Sequence, residues 1–361
     1  MPSRIHAPSC PDPFTLVRPE LREALGALTA RDPDFLTGAE ESISPEVLAK
    51  VLPDLRSAWA ADTSHVPARA RKPEVSEYMV PGHEGAPDVR ILLIHSHSDG
   101  RRPAILHMHG GGFIVGTAEE YVPVLQAQAM ALDCVIASVD YRLAPETPYP
   151  GALEDGYAAL KWLHAHCDQL GIDPTRIAVQ GESAGGGLAA MLAIAARDRA
   201  EVPILFQCLT YPMLDDRTGS SRNVPGHIGT FCWTAKYNRM GWSAFLGMPA
   251  GGPSTPAGAV PGRVGDLAGL PAAFIWVGSI DLFVEENLEY ARRLVNAGVP
   301  VELHVVPGVY HGFDGAAPGA AVTIDYRMAV IRALARAFGI VPHRATRSFF
   351  VPDEMEALVE R

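Results

Sequence analysis

Short apolar segments alternate with amphipathic segments along most of the chain after about residue 75. The apolar segments lack a strict alternation of polar and apolar residues, and this pattern predicts strands buried on both faces of a parallel sheet. Strands are predicted in this way at 89–95, 103–109, 134–139, 176–180, 204–209, 272–277 and 301–306. Helices are predicted at 119–132, 151–170, 184–197, 284–297 and 320–338. Strands separated by helices predict an α/β fold with a mainly parallel central sheet flanked by helices.

Two stretches of the chain depart from this rhythm. Residues 1–60 carry helical, proline-interrupted patterns without a strand signal, and residues 212–265 are rich in aromatic side chains followed by a loop of glycine and proline. We therefore expect 75–211 and 266–340 to form the α/β core. The two departing stretches are predicted to be N-terminal cap helices and a cap insertion over one end of the sheet, and 341–361 is predicted to be a C-terminal tail.

Composition limits the classes of protein that fit this pattern. The chain has 361 residues, of which 48% are hydrophobic and 20% are charged, so it can bury a sizeable core. Its formal net charge is −11 and it holds no long basic run, which argues against a nucleic-acid partner. The most apolar helical run, 188–196, falls well short of the ~20 residues that a membrane span needs.

The N-terminus and the cysteines bear on cellular location. The N-terminal residues contain several prolines and no apolar stretch of the kind that a secretory signal requires. The five cysteines form no CxxC pair, and Cys134 and Cys208 fall within predicted strands. They are interpreted as small buried side chains in a reducing compartment rather than as disulfides or metal ligands. The sequence therefore predicts a cytoplasmic protein.

The pentapeptide Gly-Glu-Ser-Ala-Gly at 181–185 lies between a predicted strand and a predicted helix. A sharp turn from strand to helix holds its central residue in a strained conformation and exposes that side chain at the carboxyl end of the sheet. Gly181 and Gly185 lack side chains that would collide in such a turn, and the helix N-terminus favours negative charge there. We therefore predict that Ser183 is a nucleophile, in preference to an ordinary glycine-rich helix start.

A nucleophilic serine needs a base, and the base needs a carboxylate that orients it. Sites built on this type of turn place the acid and then the histidine after the serine in the chain. Asp281 follows the strand predicted at 272–277, and His311 follows the strand predicted at 301–306. Both residues are therefore expected at the same edge of the sheet as Ser183.

Other residues of the right chemical type have structural explanations. The alternatives are His164, His166, His304 and His343 for the base, and Glu285 and Glu286 for the acid. These histidines fall inside a predicted strand, in the tail or near the end of a helix, where a protonated histidine interacts favourably with the helix dipole. The two glutamates are expected in the first turn of a helix, where acidic residues are common.

Acyl transfer also needs hydrogen-bond donors for a tetrahedral oxyanion. His-Gly-Gly-Gly-Phe at 109–113 follows a predicted strand, and its successive glycines allow backbone N–H groups to approach a ligand closely. The backbone N–H of Ala184, directly after the nucleophile, would add another donor. The position of this glycine run, upstream of the nucleophile turn, favours an oxyanion hole over a flexible loop.

Neither a metal nor a nucleotide cofactor is predicted. The segment 95–99 reads His-Ser-His-Ser-Asp, which is similar to the HxHxD motif of metallo-hydrolases, but Gly100 stands where a further histidine is usual. Since no second cluster of ligands is visible, the end of a strand running into a turn is the better interpretation. No GxGxxG motif opens a helix after a strand, so a dinucleotide is not indicated.

Four ordered segments resemble the hormone-sensitive-lipase-like esterases, a bacterial lipase/esterase family within the α/β hydrolases. They are His-Met-His-Gly-Gly-Gly-Phe at 107–113, Asp-Tyr-Arg-Leu-Ala-Pro-Glu at 140–146, Gly-Glu-Ser-Ala-Gly-Gly at 181–186 and Tyr-His-Gly-Phe at 310–313. The resemblance covers about 90–340 and, more loosely, the N-terminal region. It implies an α/β-hydrolase core with a cap built from the N-terminal region and an insertion after the sixth strand.

The resemblance also implies roles for individual residues. It implies a catalytic triad of Ser183, Asp281 and His311, and an oxyanion hole formed by the N–H groups of Gly111, Gly112 and Ala184. His109 and the segment 140–146 would support the site structurally. The family's usual Asp-Pro-Leu-Arg-Asp-Glu is here Asp-Leu-Phe-Val-Glu-Glu at 281–286, which keeps the acid but predicts an altered loop and substrate preference. Family members are often dimers, which makes a homodimer a candidate assembly.

Together these features predict a serine carboxylesterase that hydrolyses short- to medium-chain carboxylic esters, its small-molecule partners, through an acyl-enzyme intermediate. A serine hydrolase of amides, lactones or thioesters would use the same triad and stays an alternative. A non-catalytic ligand receptor of this fold, similar to the plant gibberellin receptors, is disfavoured because those receptors lack a working triad histidine whereas His311 is present.

Aromatic residues near the predicted site are hypothesised to line the acyl or alcohol pocket. They are Phe113, Phe231, Trp233 and Trp242. Packing within the cap is the alternative role for these side chains.

Overall fold

A computed structural model describes residues 12–31, 45–60, 73–95, 100–344 and 346–350 of the chain. Three sequence predictions fall partly outside these residues. They concern the rejected metal motif at 95–99, the N-terminal cap at 1–60 and the tail at 341–361.

The core is one sheet of eight strands. The strands are β1 (Glu74–Val80), β2 (Val89–His95), β3 (Arg102–Met108), β4 (Val135–Asp140), β5 (Ile172–Glu182), β6 (Phe206–Thr210), β7 (Ala272–Gly278) and β8 (Val301–Val306). Their order across the sheet is β1-β2-β4-β3-β5-β6-β7-β8. β2 runs antiparallel to both β1 and β4, and all other neighbours run parallel. The predicted α/β fold with a mainly parallel sheet is confirmed.

The hydrophobic pattern does not predict β1. This strand lies at the edge of the sheet beside β2, and most of its side chains are exposed, with Val80 buried at its end. An exposed edge strand has no need of the apolar run that marks the inner strands. β5 begins earlier than the predicted 176–180, because Ile172 already pairs with Arg102 of β3.

The described residues form ten α-helices, some of which pack on each face of the sheet. They are α1 (Pro13–Leu16), α2 (Pro19–Arg31), α3 (Pro45–Ala60), α4 (Val122–Leu132), α5 (Gly151–Ala165), α6 (Ala184–Arg199), α7 (Ala235–Leu246), α8 (Val284–Asn296), α9 (Phe313–Ala316) and α10 (Ala321–Phe338). Among the helices that the structure describes, none is long and apolar enough to cross a membrane.

Neighbouring side chains of the inner strands enter two different hydrophobic clusters. In β3, Leu106 belongs to the cluster that also contains residues of α5, α6 and α8, whereas Ile105 belongs to the cluster of α4 and α10. In β2, Leu93 and Ile94 divide in the same way. Successive side chains of a strand point to opposite faces. Burial of both faces therefore explains the near-continuous apolar runs.

The N-terminal helices contact the loop that follows β8. The backbone N–H of Arg18 donates to the Gly308 carbonyl at 2.9 Å. Leu21 and Leu25 of α2 are fully buried in the same cluster as Phe313. A segment predicted to belong to the cap therefore packs directly against the loop that carries His311.

Candidate active site

Ser183 lies in the sharp turn between the end of β5 and the start of α6. Its backbone angles are φ +56° and ψ −121°, in a region that side-chain-bearing residues rarely adopt. Its N–H donates to the Thr210 carbonyl at 2.9 Å, and its carbonyl accepts from the Met213 N–H at 2.9 Å. The segment after β6 therefore holds the backbone of Ser183 on both sides.

The turn depends on glycine because backbone atoms approach it closely. A Cβ atom on Gly185 would lie 2.0 Å from the Met108 carbonyl oxygen and 2.4 Å from the His109 carbonyl oxygen. A Cβ atom on Gly181 would lie 2.3 Å from the carbonyl carbon of Gly185. The nucleophile turn and the end of β3 therefore pack against each other through bare backbone.

Gly185→Ala is expected to lower the free energy of unfolding by about 3 kcal/mol, because the oxygens around position 185 are backbone carbonyls at the end of β3 and cannot move aside without shifting that strand. Urea denaturation monitored by circular dichroism measures this loss. Gly265→Ala is the matched control, since a Cβ atom there would have no neighbour within 4 Å. Equal unfolding midpoints for the two variants would contradict the close packing at the turn.

The structure brings Ser183, His311 and Asp281 into one line of hydrogen bonds. His311 Nε2 lies 2.9 Å from Ser183 Oγ, and His311 Nδ1 lies 2.9 Å from Asp281 Oδ2. The side chains of Asp281 and His311 are 0% and 8% exposed. Low exposure keeps water from weakening the interaction between the imidazole and the carboxylate.

Two adjacent loops position the acid and the histidine. The second oxygen of Asp281, Oδ1, accepts the backbone N–H of Phe283 at 2.9 Å, so both carboxylate oxygens are occupied. Ser279 and Gly308 tie the loops together, because the Ser279 hydroxyl accepts the Gly308 N–H at 3.0 Å. A hydrogen bond therefore joins the loops that follow β7 and β8.

The alternative acids and bases lie elsewhere. Glu285 is exposed in the first turn of α8. Glu286 is buried and accepts the Leu214 N–H at 2.6 Å, and burial raises the pKa of its carboxyl group well above the usual range. His304 lies in β8 and contacts Glu302 at 2.8 Å. Their hydrogen bonds in the described part of the chain do not involve Ser183.

The glycine run 110–112 follows β3 and passes beside the nucleophile. Gly111 and Gly112 have φ angles of +117° and +59°, which favour glycine. The ideal Cβ position of Gly110 lies 3.6 Å from Ser183 Cβ. Within the described residues, the backbone N–H groups of Gly111, Gly112 and Ala184 form no hydrogen bond. Gly110 therefore lies beside Ser183, and the two residues that follow it carry unpaired donors.

His109 supports this loop from inside the core. Its ring is buried, stacks on Tyr141 with centroids 4.1 Å apart, and contacts the Gly110 carbonyl through Nδ1 at 2.8 Å. Burial lowers the pKa of His109 to about 3, so its ring is neutral near pH 7. A neutral, stacked ring suits a structural role better than proton transfer.

Sequence reasoning did not single out two other supports of the site. His107 Nε2 lies 2.9 Å from the carboxylate of Glu182, the residue before the nucleophile. The hydroxyl of Tyr121 accepts the Gly110 N–H at 3.3 Å. His107 and Glu182 both lie inside the motifs at 107–113 and 181–186, so the sequence alone could have indicated a role for them. Tyr121 lies in no motif, and its contact is visible only in the folded chain.

The four aromatic residues hypothesised to line the pocket occupy different places. A Cβ atom on Gly112 would lie 2.0 Å from the Trp233 ring, and the Trp233 and His311 ring centroids are 6.4 Å apart. Phe231 lies beside Tyr310, at 6.3 Å between ring centroids. Phe113 and Trp242 instead pack together, with centroids 5.0 Å apart, and both are buried in the hydrophobic core.

The described residues include no group of three or more histidine, cysteine, aspartate or glutamate side chains that could hold a metal ion. The chemical groups gathered around Ser183 are a hydroxyl, an imidazole, a carboxylate and backbone N–H donors. This set fits nucleophilic attack on a carbonyl group with stabilisation of the resulting oxyanion.

Known proteins share the sequence pattern and the fold of this chain. A family model described as an alpha/beta hydrolase fold matches residues 105–315, which is more than half of the chain. Esterase LipI from Mycobacterium tuberculosis is 41% identical over 219 residues, which cover 59% of this chain and 66% of that protein. Carboxylesterase NlhH from the same organism is 39% identical over 220 residues, which cover 58% of this chain and 66% of that protein. The chain thus spans just under two thirds of these relatives.

Solved structures extend the similarity over more of the chain. A bacterial heroin esterase superposes with a TM-score of 0.78 at 36% identity, and the match covers 91% of this chain and 99% of that chain. This coverage includes regions on both sides of the family match. With the motifs, the mainly parallel sheet and the family model in agreement, the chain belongs to the hormone-sensitive-lipase-like branch of the α/β hydrolases.

Proposed function

We propose that this protein is a serine carboxylesterase that hydrolyses short- to medium-chain carboxylic esters through an acyl-enzyme intermediate. The observation that carries the proposal is the line of hydrogen bonds from Ser183 through His311 to Asp281, with 2.9 Å between the bonded atoms at each step. A serine hydroxyl becomes a good nucleophile when a base within hydrogen-bond reach takes its proton. The relatives LipI, an esterase, and NlhH, a carboxylesterase, support an ester as the substrate class.

Acylation begins when Ser183 Oγ attacks the ester carbonyl carbon and His311 Nε2 takes the hydroxyl proton. The imidazolium that forms is stabilised by the carboxylate of Asp281, to which its Nδ1–H donates. The carbonyl oxygen becomes an oxyanion and accepts the N–H groups of Gly111, Gly112 and Ala184. Collapse of this intermediate expels the alcohol, which takes the proton from His311 Nε2. The acyl group stays on Ser183 Oγ.

Deacylation repeats these steps with water as the nucleophile. His311 Nε2 takes a proton from water, and the hydroxide attacks the acyl carbonyl carbon. The same N–H groups hold the second oxyanion. Collapse then breaks the bond between the carbonyl carbon and Ser183 Oγ, the serine recovers its proton from His311, and the carboxylic acid leaves.

A substrate panel tests this proposal. It consists of p-nitrophenyl acetate, butyrate and octanoate, together with a p-nitroanilide, a lactone and a thioester. We expect the largest kcat/KM for one of the esters, and labelling of the protein by a fluorophosphonate probe. If kcat/KM were larger for the amide, the lactone or the thioester than for every ester, that compound class would replace esters as the proposed substrate. Absence of both turnover and labelling would favour the non-catalytic receptor.

Trp233 is proposed to limit the size of the acyl or alcohol group. Its ring lies against Gly112 and beside His311, that is, next to a proposed oxyanion-hole residue and next to the proposed base. Its Nε1–H donates to Asn238 Oδ1 at 3.3 Å, which fixes the ring in place. Trp233→Leu is expected to raise kcat/KM for the octanoate relative to the acetate by roughly 10-fold. Initial rates on the two esters measure this ratio.

Trp242→Leu is the matched control for this change. Trp242 is also buried, but it packs against Phe113 and Phe245. Both variants are expected to lose about 3 kcal/mol of stability, so a ratio that changes only in Trp233→Leu cannot come from weaker folding. An unchanged ratio in Trp233→Leu would contradict the role in the pocket.

A cytoplasmic location and a homodimer stay predictions from the sequence. Cys134, Cys167 and Cys208 are buried free thiols, which supports a reducing compartment. Their burial also keeps these thiols from reacting with oxidants at the surface.

A further inference from the structure

The two hydrogen bonds of His311 leave one motion of its ring unconstrained. They lie at opposite ends of the imidazole, so the ring can still turn about the line from Asp281 to Ser183. Neighbouring aromatic rings restrict this turn. The Tyr211 ring lies 4.6 Å from the imidazole, measured between centroids, with an angle of 63° between the planes. The Phe283 ring lies 5.1 Å away at 89°.

Tyr211 directly follows β6 and is itself tightly held. Its φ angle is +33°, in the left-handed region that residues other than glycine rarely adopt. Its backbone N–H donates to the Trp276 carbonyl at 2.6 Å. Uncommon backbone conformations of this kind persist where the surrounding structure enforces them, and they cluster at active sites.

The backbone around Tyr211 is fixed to the nucleophile. Thr210 accepts the N–H of Ser183, and Met213 donates its N–H to the carbonyl of Ser183, both at 2.9 Å. Any displacement of the segment 210–213 would therefore displace the nucleophile turn. The Tyr211 side chain extends from this segment to the imidazole of His311.

The Tyr211 hydroxyl reaches the other side of the site. It donates to Asp314 Oδ1 at 2.6 Å, and Asp314 lies in α9, three positions after His311. Burial raises the pKa of Tyr211 well above its usual range, so the hydroxyl keeps its proton and remains a donor. Asp314 faces a cavity of about 30 Å³ that Glu182 and Arg327 also line. The positive charge of the Arg327 guanidinium acts on Asp314 within this cavity.

We propose that the hydrogen bond between Tyr211 and Asp314 sets the position of the His311 loop relative to the nucleophile turn and fixes the plane of the imidazole. Tyr211 and Asp314 are then positioning residues, because they act through His311 and not on the substrate. This inference rests on the proposed function, and it adds to it the device that aligns the base with Ser183 Oγ.

Removal of the hydroxyl should affect turnover more than substrate binding. Tyr211→Phe is expected to lower kcat for p-nitrophenyl acetate roughly 10-fold while KM stays within about twofold, because proton transfer depends on alignment. Asp314→Ala should have the same effect. Asp314→Asn keeps an acceptor for the Tyr211 hydroxyl and should restore kcat to within about threefold of the natural protein.

A double variant tests whether the two residues act as one unit. Tyr211→Phe combined with Asp314→Ala should lower kcat no further than either single change, since each single change already removes the same hydrogen bond. Multiplication of the two losses in the double variant would overturn the proposed link.

Tyr326→Phe is the matched control. The Tyr326 hydroxyl is buried and lies 3.0 Å from Thr210 Oγ1, so this change removes a hydrogen bond to the same segment. Within the described residues, the Tyr326 hydroxyl makes no hydrogen bond to the His311 loop. We expect kcat within about twofold of the natural protein. A loss of kcat equal to that of Tyr211→Phe would overturn the inference, because loss of any hydrogen bond to the segment 210–213 would then be enough to lower kcat.

Proton NMR reads the alignment without turnover. The imidazole N–H between His311 and Asp281 gives a downfield resonance, which Tyr211→Phe should shift and broaden while Tyr326→Phe leaves it in place. If the natural protein showed this resonance but turned over no ester, the proposed function would fail. The effect of the Tyr211–Asp314 hydrogen bond on His311 could still be measured from the resonance. A Tyr211→Phe variant with unchanged kcat and an unchanged resonance would overturn the inference.

Discussion

Replacement of Ser183 by alanine is expected to lower kcat for p-nitrophenyl acetate on the order of 10⁶-fold. Without Oγ, His311 has no hydroxyl to deprotonate and no acyl-enzyme forms. Substrate binding and the N–H donors of the oxyanion hole remain, so a small acceleration over the reaction in water should persist. Stopped assays with long incubation, together with mass spectrometry of the acylated protein, measure both parts of this result.

The fold should survive this change. Alanine has the same Cβ as serine and can take the same strained conformation, so the unfolding midpoint should stay close to that of the natural protein. Ser254→Ala is the matched control, since Ser254 is exposed in the loop after α7. It should keep full turnover and full labelling by a fluorophosphonate. Turnover or labelling retained in Ser183→Ala would assign the nucleophile to another residue.

The inner strands are predictable because burial on both faces requires apolar residues at successive positions. Ile105 and Leu106 illustrate this, since they point to opposite faces of β3 and enter different clusters. β1 is not predictable in this way, because Tyr78 and Met79 remain exposed at the edge of the sheet. Its pairing with β2 depends on backbone hydrogen bonds, which leave little trace in the pattern of side chains.

The hydrogen-bonded line of the site is predictable for a topological reason. Ser183, Asp281 and His311 each follow a parallel strand, and the carboxyl ends of parallel strands meet at one edge of the sheet. Chain order therefore determines spatial proximity. Tyr211 also follows a strand, at the end of β6, but its contacts with His311 and Asp314 depend on the direction of one side chain. Such a direction follows from the folded backbone and not from spacing.

The segment after the acid shows how a departure from the family pattern is accommodated. Leu282 and Phe283 replace the usual proline and leucine, and both are fully buried. Phe283 contributes its ring to the surroundings of His311 and its N–H to Asp281. Glu286, the retained glutamate, accepts the backbone N–H of Leu214 and a hydrogen bond from the Thr218 hydroxyl. The segment 214–218 is thereby bound to the helix that follows the acid.

Asp281→Asn is expected to lower kcat about 10⁴-fold with little change in KM. The Phe283 N–H and His311 Nδ1 face the two oxygens of Asp281, each at 2.9 Å. An asparagine that accepts from Phe283 must turn its NH₂ group toward His311. The imidazole then carries its proton on Nε2, where it cannot take the proton of Ser183. The loss corresponds to about 5 kcal/mol of transition-state stabilisation, and steady-state kinetics measures it.

Glu285→Gln tests whether the carboxylate that orients His311 belongs to Asp281 or to Glu285. Glu285 is exposed at the start of α8, so its replacement should leave kcat unchanged and only weaken a favourable interaction with the helix dipole. The asparagine variant keeps the volume of Asp281, an acceptor for the Phe283 N–H and a hydrogen bond to His311 of reversed direction. Its fold should therefore remain intact, and the loss should appear in kcat alone. Natural turnover in Asp281→Asn, or a loss of similar size in Glu285→Gln, would assign the orienting carboxylate elsewhere. The contrast between the two variants therefore tests the geometry around His311 and not merely the presence of negative charge.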